Sequence, residues 1–353
     1  MRISFLLPCL IKIPVGGAKI IYRYAREFQK LGHEVAIISP KSEGYRLRDL
    51  LKVGAIRIRD RWHGVEDRPY YETPKGVEHL IISAPDPKFI PDGDVLIASA
   101  WQTAFWVDEM PPEKGEKIYY LQNLETYLGN AELIQSTWKL PLKKIVIAKW
   151  LKVAAEEMGE KAYGPVPIAL DPTEFSVERP IDSRPLRVTM LYHRLPIKGG
   201  SEGIEILKNV KETHPKLKAI IFAARKPSAT IPEWIELRIR PDIPLLKEIY
   251  NSTSVFLHTS HQEGWGLPPM EAMACGCAVV AAANEGVQEF ITDGKTGLLR
   301  PVGDVDALAE AVRKLLDNDE LRIQLAEAGR DAVQQFSWEK NVRQFERILK
   351  GEE

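Results

Sequence analysis

The sequence has little of what disulfide-stapled or membrane-spanning proteins need. It contains three cysteines in 353 residues, and an odd number is a poor basis for a disulfide framework. We therefore expect buried thiols and a reducing, cytoplasmic setting. No stretch of about 18 apolar residues is present, which excludes a hydrophobic membrane-spanning helix. The apolar run at Met1–Pro8 is too short for the core of a signal peptide and is expected to be a first buried strand.

The chain also lacks a net charge that would attract nucleic acid or an anionic membrane. Its 48 basic and 49 acidic residues give a formal charge of −1. We therefore expect no nucleic-acid partner, and any anionic ligand must be held by local groups. The 44% hydrophobic and 27% charged residues are typical of a globular protein. The length predicts about two domains.

Short apolar strands alternate with amphipathic helices along the whole chain, which is the pattern of parallel α/β sheets. A proline-rich stretch between Pro165 and Pro185 cannot form a helix and is expected to be an extended linker. We predict two doubly wound, Rossmann-like domains that face a cleft, with closure about this linker. The predicted boundaries are 1–165, 166–335 and a C-terminal helix at 336–353 that packs back on the first domain. The Arg-rich segment Tyr45–Tyr71 has no clear period and is predicted to be irregular.

The segment from His258 to Gly276 carries the clearest chemical pattern. It follows a predicted strand, Val255–His258, and opens a helix near Pro268. Gly264 and Gly266 allow backbone amides to approach a ligand closely, and prolines suit a first helical turn. A helix N-terminus attracts phosphate, and carboxylates such as Glu263 and Glu271 accept hydrogen bonds from vicinal hydroxyl groups. The pattern predicts a site for a phosphorylated, hydroxyl-rich ligand.

This segment resembles the E-x7-E signature of family 4 retaining glycosyltransferases, which have the GT-B fold. Glu263, Gly264, Gly266, Glu271 and the following Ala272–Gly276 agree with that signature, while Trp265 replaces the common Phe. The resemblance continues in further stretches, which are Arg194–Gly200, Val279–Ala281, Gly286–Ile291, Asp293–Leu299 and Phe336–Trp338. It implies transfer of a sugar from a nucleoside-diphosphate sugar to an acceptor hydroxyl in polysaccharide, glycolipid or glycoconjugate synthesis.

The resemblance also implies roles for individual residues of the second domain. Glu271 would bind the ribose, and Arg194 and Lys198 would hold the diphosphate. Glu263, together with backbone amides of the loop, would bind the transferred sugar. The donor-binding residues of that loop are Gly264, Trp265, Gly266 and Leu267. We assign Glu263, Arg194 and Lys198 as catalytic, with no enzymic nucleophile and no metal or other cofactor.

The first domain is expected to hold a glycan or lipid-linked acceptor. Gly17, in Gly16–Gly17 at the start of a helix, resembles the family's glycine pair and is expected to contact the donor phosphate and acceptor. Trp101, Gln122 and Asn123 are assigned to the acceptor or sugar side. Many relatives have a His where this chain has Gln122. The sequence here is similar to a sub-group that includes rhamnosyl-type transferases. A catalytically weak GT-B-like protein that binds nucleotide or glycan remains the alternative.

Several other features have competing interpretations. Asp92 with Asp94, and Asp304 with Asp306, spell D-x-D, a possible metal motif, but a turn and a helix cap explain them better. The aromatic residues Trp62, His63, Trp101 and Trp106 can stack on sugars, although aromatics are more often core residues. One lysine-rich stretch is either a membrane-facing or acceptor-facing patch, which would permit peripheral association with the inner membrane face, or simply solvated ends of a strand and helix. It comprises Lys139, Lys143, Lys144, Lys149 and Lys152 with Trp138 and Trp150.

Overall fold

The computed structural model describes residues 1–41 and 68–353. Most of the Arg-rich segment Tyr45–Tyr71 lies outside the described residues, as do Trp62 and His63. The chain divides into two compact units. The first comprises Met1–Pro167 together with Glu339–Glu353, and the second comprises Ile168–Trp338.

The first unit is built on a parallel sheet to which the described residues contribute seven strands, in the order β3-β2-β1-β4-β5-β6-β7. Strand β1 lies between two neighbours, so that Ile3 pairs with Val35 on one side and with Val95 on the other. The strands are β1 Arg2–Leu6, β2 Glu34–Pro40, β3 Glu78–Ile82, β4 Val95–Ala98, β5 Glu116–Leu121, β6 Lys143–Val146 and β7 Ala162–Tyr163. The helices are α1 Gly16–Lys30, α2 Trp101–Asp108, α3 Ala131–Ser136 and α4 Lys149–Glu157.

An aromatic cluster joins helix α1 to the C-terminal end of the chain. Tyr24 and Phe28 lie on the buried face of α1, and their rings lie 4.9 and 5.5 Å from that of Phe345. Phe345 also stacks on Tyr120 of β5 at 5.1 Å. The last helix, α10 (Trp338–Leu349), therefore contributes to the core of the first unit, although it follows the second unit in sequence.

The second unit contains a parallel sheet of six strands among its residues, in the order β10-β9-β8-β11-β12-β13. Apolar side chains from the sheet and from its flanking helices form one buried core. The strands are β8 Arg187–Tyr192, β9 Lys218–Ala223, β10 Ile235–Ile239, β11 Val255–His258, β12 Ala278–Ala282 and β13 Leu298–Arg300. The helices are α5 Gly200–Thr213, α6 Ile243–Asn251, α7 Leu267–Ala274, α8 Val305–Asp317, α9 Asp319–Gln334 and, in the first unit, α10 Trp338–Leu349.

Three strands were missed from the sequence. Strands β7 and β13 contain two and three residues, too few to show an alternating pattern. Strand β10 lies at the edge of its sheet and exposes Glu236 and Arg238, so two charged residues interrupt its apolar run. Short length and edge position explain all three omissions.

The proline-rich segment is not a free linker. Arg184, only 6% exposed, donates hydrogen bonds to the carbonyls of Arg179 and Cys275 and to the side chain of Asn251. These bonds fix the segment on helices α6 and α7 of the second unit. Residues 165–185 contain no helix, as predicted, but turns at 172–174 and 182–183 interrupt the extended chain. Residues 179–184 are anchored on the second unit.

The lysine-rich stretch lies only partly on the surface, where Lys139 and Lys149 are exposed. Trp138 is fully buried, and Lys144 is 4% exposed and bonded to Glu160 at 2.9 Å. Lys143 donates to the carbonyl of Ile348 at 2.6 Å, and Lys152 donates to that of Gly164 at 3.1 Å. These cations serve the interior of the first unit. Within residues 1–41 and 68–353, no helix is both long and apolar enough to cross a membrane.

Candidate functional site

The centre of the second sheet is a topological switch point. Strands β8 and β11 are neighbours, but the chain leaves β8 toward β9 and leaves β11 toward β12, on opposite sides. Loops at the carboxyl ends of such strands diverge and leave a crevice, where ligands of doubly wound sheets bind. Here the two loops are residues 193–199 and 259–266. The predicted site residues Arg194, Lys198, Glu263 and Gly266 all lie on them.

Close backbone packing joins these two loops. Thr259 donates its hydroxyl to the carbonyl of Gly199 at 2.8 Å, and the His261 amide donates to Ile197 at 2.8 Å. Gly199 has a φ of +61°, and a Cβ there would lie 2.1 Å from the Thr259 carbonyl oxygen. Glycine is required for this approach, which brings Lys198 beside the loop that carries Glu263.

Lys198 and Glu263 form a largely buried ion pair. The ammonium nitrogen lies 2.9 Å from Oε2 of Glu263 and also donates to the Gln262 carbonyl at 2.9 Å. The two side chains are 16% and 18% exposed. Burial alone would raise the pKa of Glu263, but the Lys198 ammonium holds this pKa below its usual value. The carboxylate is therefore ionised at neutral pH.

His258, at the end of β11, lies behind this pair. It is 5% exposed, and its Nε2 is 3.8 Å from Oε1 of Glu263. Burial lowers the pKa of His258 to about 4, and the nearby Lys198 cation acts in the same direction. The imidazole is thus neutral at physiological pH.

Helix α7 begins at the far end of the same loop. Its cap, Gly266, has a φ of +104°, and prolines occupy its first turn, as the sequence predicted. The Trp265 side chain turns inward, where Nε1 donates to Met270 Sδ at 3.1 Å and the ring contacts Phe290 and Phe336. Trp265 therefore anchors the loop. The binding role assigned to Trp265 is therefore restricted to its backbone amide.

Glu271 lies inside helix α7 and is 5% exposed. Tyr250, from helix α6, donates its hydroxyl to Oε2 of Glu271 at 3.2 Å. Burial raises the pKa of the Tyr250 hydroxyl well above its ordinary value, and the Glu271 charge adds to this effect, so the hydroxyl keeps its proton. The phenol fixes one oxygen of Glu271 before any ligand arrives.

Arg194 points to a different partner from Lys198. Its guanidinium donates from Nε to the carbonyl of Lys226 at 2.8 Å, and Nη2 bonds the same oxygen. Lys226 follows β9, so Arg194 reaches away from β11 toward the next loop of the sheet. A diphosphate role for Arg194 therefore requires a rotation of its side chain, whereas Lys198 already lies at the switch point.

In the first unit, the corresponding switch point lies between β1 and β4. Gly17 is in the first turn of α1, and a Cβ there would be 3.4 Å from the carboxamide of Gln122, which follows β5. The carboxamide of Asn123 donates to the Tyr127 hydroxyl at 3.1 Å, and its oxygen accepts from the Leu124 amide. The structure thus brings Gly17 and Gln122 together, and it engages Asn123 within its own loop.

Trp101 meets a carboxylate that was not assigned as a site residue. The backbone amide of Trp101, at the start of α2, donates to Oε2 of Glu125 at 2.8 Å. Glu125 has a φ of +59°, a conformation that non-glycine residues rarely adopt. Burial raises the pKa of Glu125 to about 7, and the bond from Trp101 only partly offsets this rise. Trp106 lies half-buried on the same helix.

The acidic pairs have structural partners. Asp92 accepts from the Lys114 ammonium at 2.6 Å, and Asp94 accepts from the Arg2 amide at 2.7 Å. Asp304 accepts from the amide of Ala307 at 2.9 Å and caps helix α8, as predicted. Among residues 1–41 and 68–353, no group of three or more His, Cys, Asp or Glu side chains could hold a metal ion. The three cysteines all lie in the described residues and form no disulfide.

Sequence reasoning missed His258 and Glu125 as members of these sites. Both belonged to stretches already singled out: His258 ends strand β11, and Glu125 lies in the loop after strand β5. His258 is a polar residue at a strand position where the pattern calls for an apolar one. That mismatch was the signal available for His258. The sequence contains no comparable signal for the left-handed backbone conformation of Glu125.

Comparisons with known proteins agree with this geometry. Residues 173–332 match the family model for glycosyl transferases group 1, so the second unit carries a domain of that group. Over 103 residues the chain is 42% identical to a D-inositol 3-phosphate glycosyltransferase of Corynebacterium aurimucosum, covering 29% of this chain and 24% of that protein. Over 169 residues it is 27% identical to the capsular polysaccharide biosynthesis glycosyltransferase CapM of Staphylococcus aureus, covering 44% of each. The matched part is less than half of either relative.

Solved structures resemble the whole chain at low sequence identity. HepE of Anabaena, in complex with UDP-glucose, matches with a TM-score of 0.75 and 16% identity, covering 99% of this chain and 100% of that one. The sucrose-phosphate synthase of Thermosynechococcus elongatus matches with a TM-score of 0.72 and 16% identity, covering 99% and 98%. The predicted fold, GT-B with two parallel-sheet Rossmann-like domains, is confirmed.

Proposed function

We propose that this chain is a family 4 retaining glycosyltransferase that moves a sugar from a nucleoside-diphosphate sugar to an acceptor hydroxyl. The main observation behind this proposal is the buried Lys198–Glu263 pair at the switch point of the second sheet. The loop that carries Glu263 leads directly into helix α7, which carries Glu271. An ammonium beside a carboxylate suits a ligand that joins an anionic diphosphate to a hydroxyl-bearing sugar. The group 1 domain at residues 173–332 supports this class of donor.

The residues of the second unit divide the donor between them. Glu271, held by Tyr250, accepts hydrogen bonds from the ribose hydroxyls. Glu263 and the backbone amides of Trp265, Gly266 and Leu267 bind the transferred sugar. Lys198 neutralises the charge of the diphosphate. Arg194 also does so, after its side chain rotates away from the Lys226 carbonyl. The site is proposed to work without a metal ion, because these cations meet the charge of the leaving group.

The proposed reaction exchanges one bond at the anomeric carbon for another on the same face. The bond from this carbon to the phosphate oxygen breaks, and a bond to the acceptor oxygen forms. The acceptor's proton passes to the leaving phosphate, and no enzyme carboxylate is bonded to the sugar. Lys198 stabilises the charge that develops on the diphosphate, which is where preorganised electrostatics contributes most.

The acceptor is proposed to bind the first unit near Gly17, Trp101, Gln122 and Asn123. A glycan or lipid-linked acceptor agrees with the capsular polysaccharide enzyme among the relatives. Gln122, a hydrogen-bonding group without charge, favours the sub-group that includes rhamnosyl-type transferases. The absence of disulfides among the three cysteines supports a cytoplasmic reaction, with a lipid-linked acceptor presented at the inner membrane face.

A donor screen tests the proposal directly. Thermal unfolding is followed with UDP-, GDP- and dTDP-sugars, and a donor at about 100 times its Kd should stabilise the protein by about 2.7 kcal/mol. The stabilising donor is then incubated with candidate acceptors, and release of the nucleoside diphosphate and the anomeric configuration of the product are measured. Binding of a donor without any release of diphosphate, even on long incubation, would instead support the binding-only alternative. A product of inverted configuration would contradict retention.

A further inference from the structure

The imidazole of His258 contains a buried polar atom with nothing to bond. Among the described residues, Nε2 of His258 has no hydrogen-bond partner. Leaving a buried donor or acceptor unsatisfied costs about 1–3 kcal/mol, so such an atom calls for an explanation. Nε2 is sealed from solvent and is therefore unable to touch a ligand itself. Its role has to pass through a neighbouring side chain.

That neighbour is Glu263. Lys198 holds Oε2 of Glu263 at 2.9 Å, while Oε1 lies 3.8 Å from Nε2 of His258. A hydrogen bond between nitrogen and oxygen needs a distance of about 2.7–3.2 Å, so Nε2 of His258 and Oε1 of Glu263 are too far apart by less than about 1 Å. A small rotation of the Glu263 carboxylate would complete it. In the present orientation, the carboxylate makes the bond to Lys198 and does not reach His258.

Binding of a diphosphate would change this balance. The Lys198 ammonium would then also bond phosphate oxygens, and it would stabilise the ionised form of Glu263 less. Burial favours a neutral carboxyl in that case. A neutral imidazole that donates an N–H to Oε1 would keep the carboxylate ionised and oriented. His193 also lies within electrostatic reach of Lys198 and Glu263, and Arg225 lies within reach of His193.

We propose that His258 is a positioning residue, whose Nε2–H takes over Oε1 of Glu263 when Lys198 turns to the donor's diphosphate. The inference rests on the proposed function, because it requires Lys198 to bind that diphosphate. It adds a relay to the site: the same carboxylate is held by a cation before the donor binds and by an imidazole afterwards. No proton is transferred in this exchange, only a hydrogen-bond partner.

The first test needs no ligand. Lys198→Met removes the ammonium from Glu263, as binding of Lys198 to a diphosphate would. The Glu263 carboxylate should therefore rotate toward His258. Proton NMR of the imidazole N–H groups should then show a downfield, exchange-protected His258 signal that is missing in the wild type. The signal should disappear in the double variant Lys198→Met, Glu263→Gln. An imidazole N–H spectrum of Lys198→Met identical to that of the wild type would overturn the proposal.

The second test uses catalysis. His258→Leu removes the donor, and His258→Gln places an amide N–H near the position of Nε2. We expect kcat to fall about 10-fold for His258→Leu, as for a lost hydrogen bond to a charged group, with the donor KM nearly unchanged. His258→Gln should recover most of this loss. Equal kcat values for wild type and His258→Leu would overturn the proposal.

Controls separate this inference from the function on which it rests. His261→Gln, a change at a neighbouring imidazole that bonds Glu202 at 2.8 Å, should leave kcat unaltered. If the wild type transfers no sugar, the proposed function fails, while the NMR test still decides whether His258 captures Glu263. If His258→Leu does not fold, the proposal is decided by the spectrum of Lys198→Met and by the kcat of His258→Gln. A folded His258→Gln variant that loses most of the wild-type kcat would contradict the proposal.

Discussion

The ammonium nitrogen of Lys198 lies 2.9 Å from Oε2 of Glu263, although the two residues come from separate motifs. They meet because β8 and β11 are adjacent strands and because Gly199 lets one loop rest on the other. The pair leaves no buried charge unbalanced before a ligand binds. It also means that any diphosphate must compete with a carboxylate for Lys198, which makes both residues sensitive points of the proposed reaction.

Removing either member of this pair should slow sugar transfer. For Lys198→Ala and for Glu263→Ala we expect turnover to fall by roughly 10²–10³, as for one lost group that stabilises a transition state. The initial rate of nucleoside diphosphate release at saturating donor measures the effect. Lys314→Ala, at an exposed lysine of helix α8, is the matched control and should retain the wild-type rate. Wild-type turnover in both site variants would refute the assignment.

Glu271 should act on donor affinity rather than on turnover. Its oxygen is already oriented by Tyr250, and its loss would remove a charged hydrogen-bond partner of the ribose. We expect Glu271→Ala to weaken donor binding by about 1–3 kcal/mol, measured by calorimetry. Tyr250→Phe should weaken binding less, because it removes only the orienting bond. An unchanged Kd in Glu271→Ala would exclude the ribose role.

The fold could be predicted from the sequence wherever the residue pattern was strong. Strand β11 has the predicted bounds, Val255–His258, because a clear apolar run begins at Val255 and the loop with the chemical pattern begins after His258. The edge strand β10 was missed, since its alternating charges lie outside the core. The pairing of Lys198 with Glu263 could not be read from either motif. It depends on strand order, a long-range property that local patterns leave open.

Two site features depend on burial and backbone conformation instead of residue type. Arg194 has the right chemistry for a phosphate, but the carbonyl of Lys226 takes its guanidinium. Glu125 is an ordinary glutamate in the sequence, and only its left-handed backbone and its bond from Trp101 show that it is special. Both differences arise from neighbours that are distant in sequence.

The buried imidazole of His258 should make the protein less stable in mild acid. In the unfolded chain a histidine binds a proton near pH 6.5, whereas the folded His258 has a pKa of about 4. Between these values the unfolded state binds more protons, so the free energy of unfolding decreases as the pH falls. The contribution is on the order of 3 kcal/mol. In urea unfolding at pH 4.5–7.5, the free energy of unfolding of the wild type relative to that of His258→Gln should decrease as the pH falls; identical pH dependences of the two proteins would contradict the prediction.

Glu125 should give the opposite pH dependence. Burial raises the folded pKa of Glu125 to about 7, above the ordinary glutamate value of 4.5. Between these values the folded state binds more protons than the unfolded state, so the stabilisation present in acid is lost as the pH rises toward 7. Glu125→Gln keeps an oxygen that can accept from the Trp101 amide but carries no titrating proton. Relative to the wild type, this variant should therefore become progressively more stable as the pH rises from 5 to 8.

Because the contributions of Glu125 and His258 oppose each other over nearly the same pH range, the wild-type profile alone shows neither. Each single variant removes one contribution and exposes the other, so Glu125→Gln should steepen the loss of stability in acid while His258→Gln should flatten or reverse it. The two residues lie in different units, so their effects should add in the double variant. Glu132→Gln, at an exposed glutamate of helix α3, controls for the loss of one carboxylate from the first unit. Urea midpoints of Glu125→Gln that run parallel to the wild type from pH 5 to 8 would show that Glu125 does not hold its proton near neutrality.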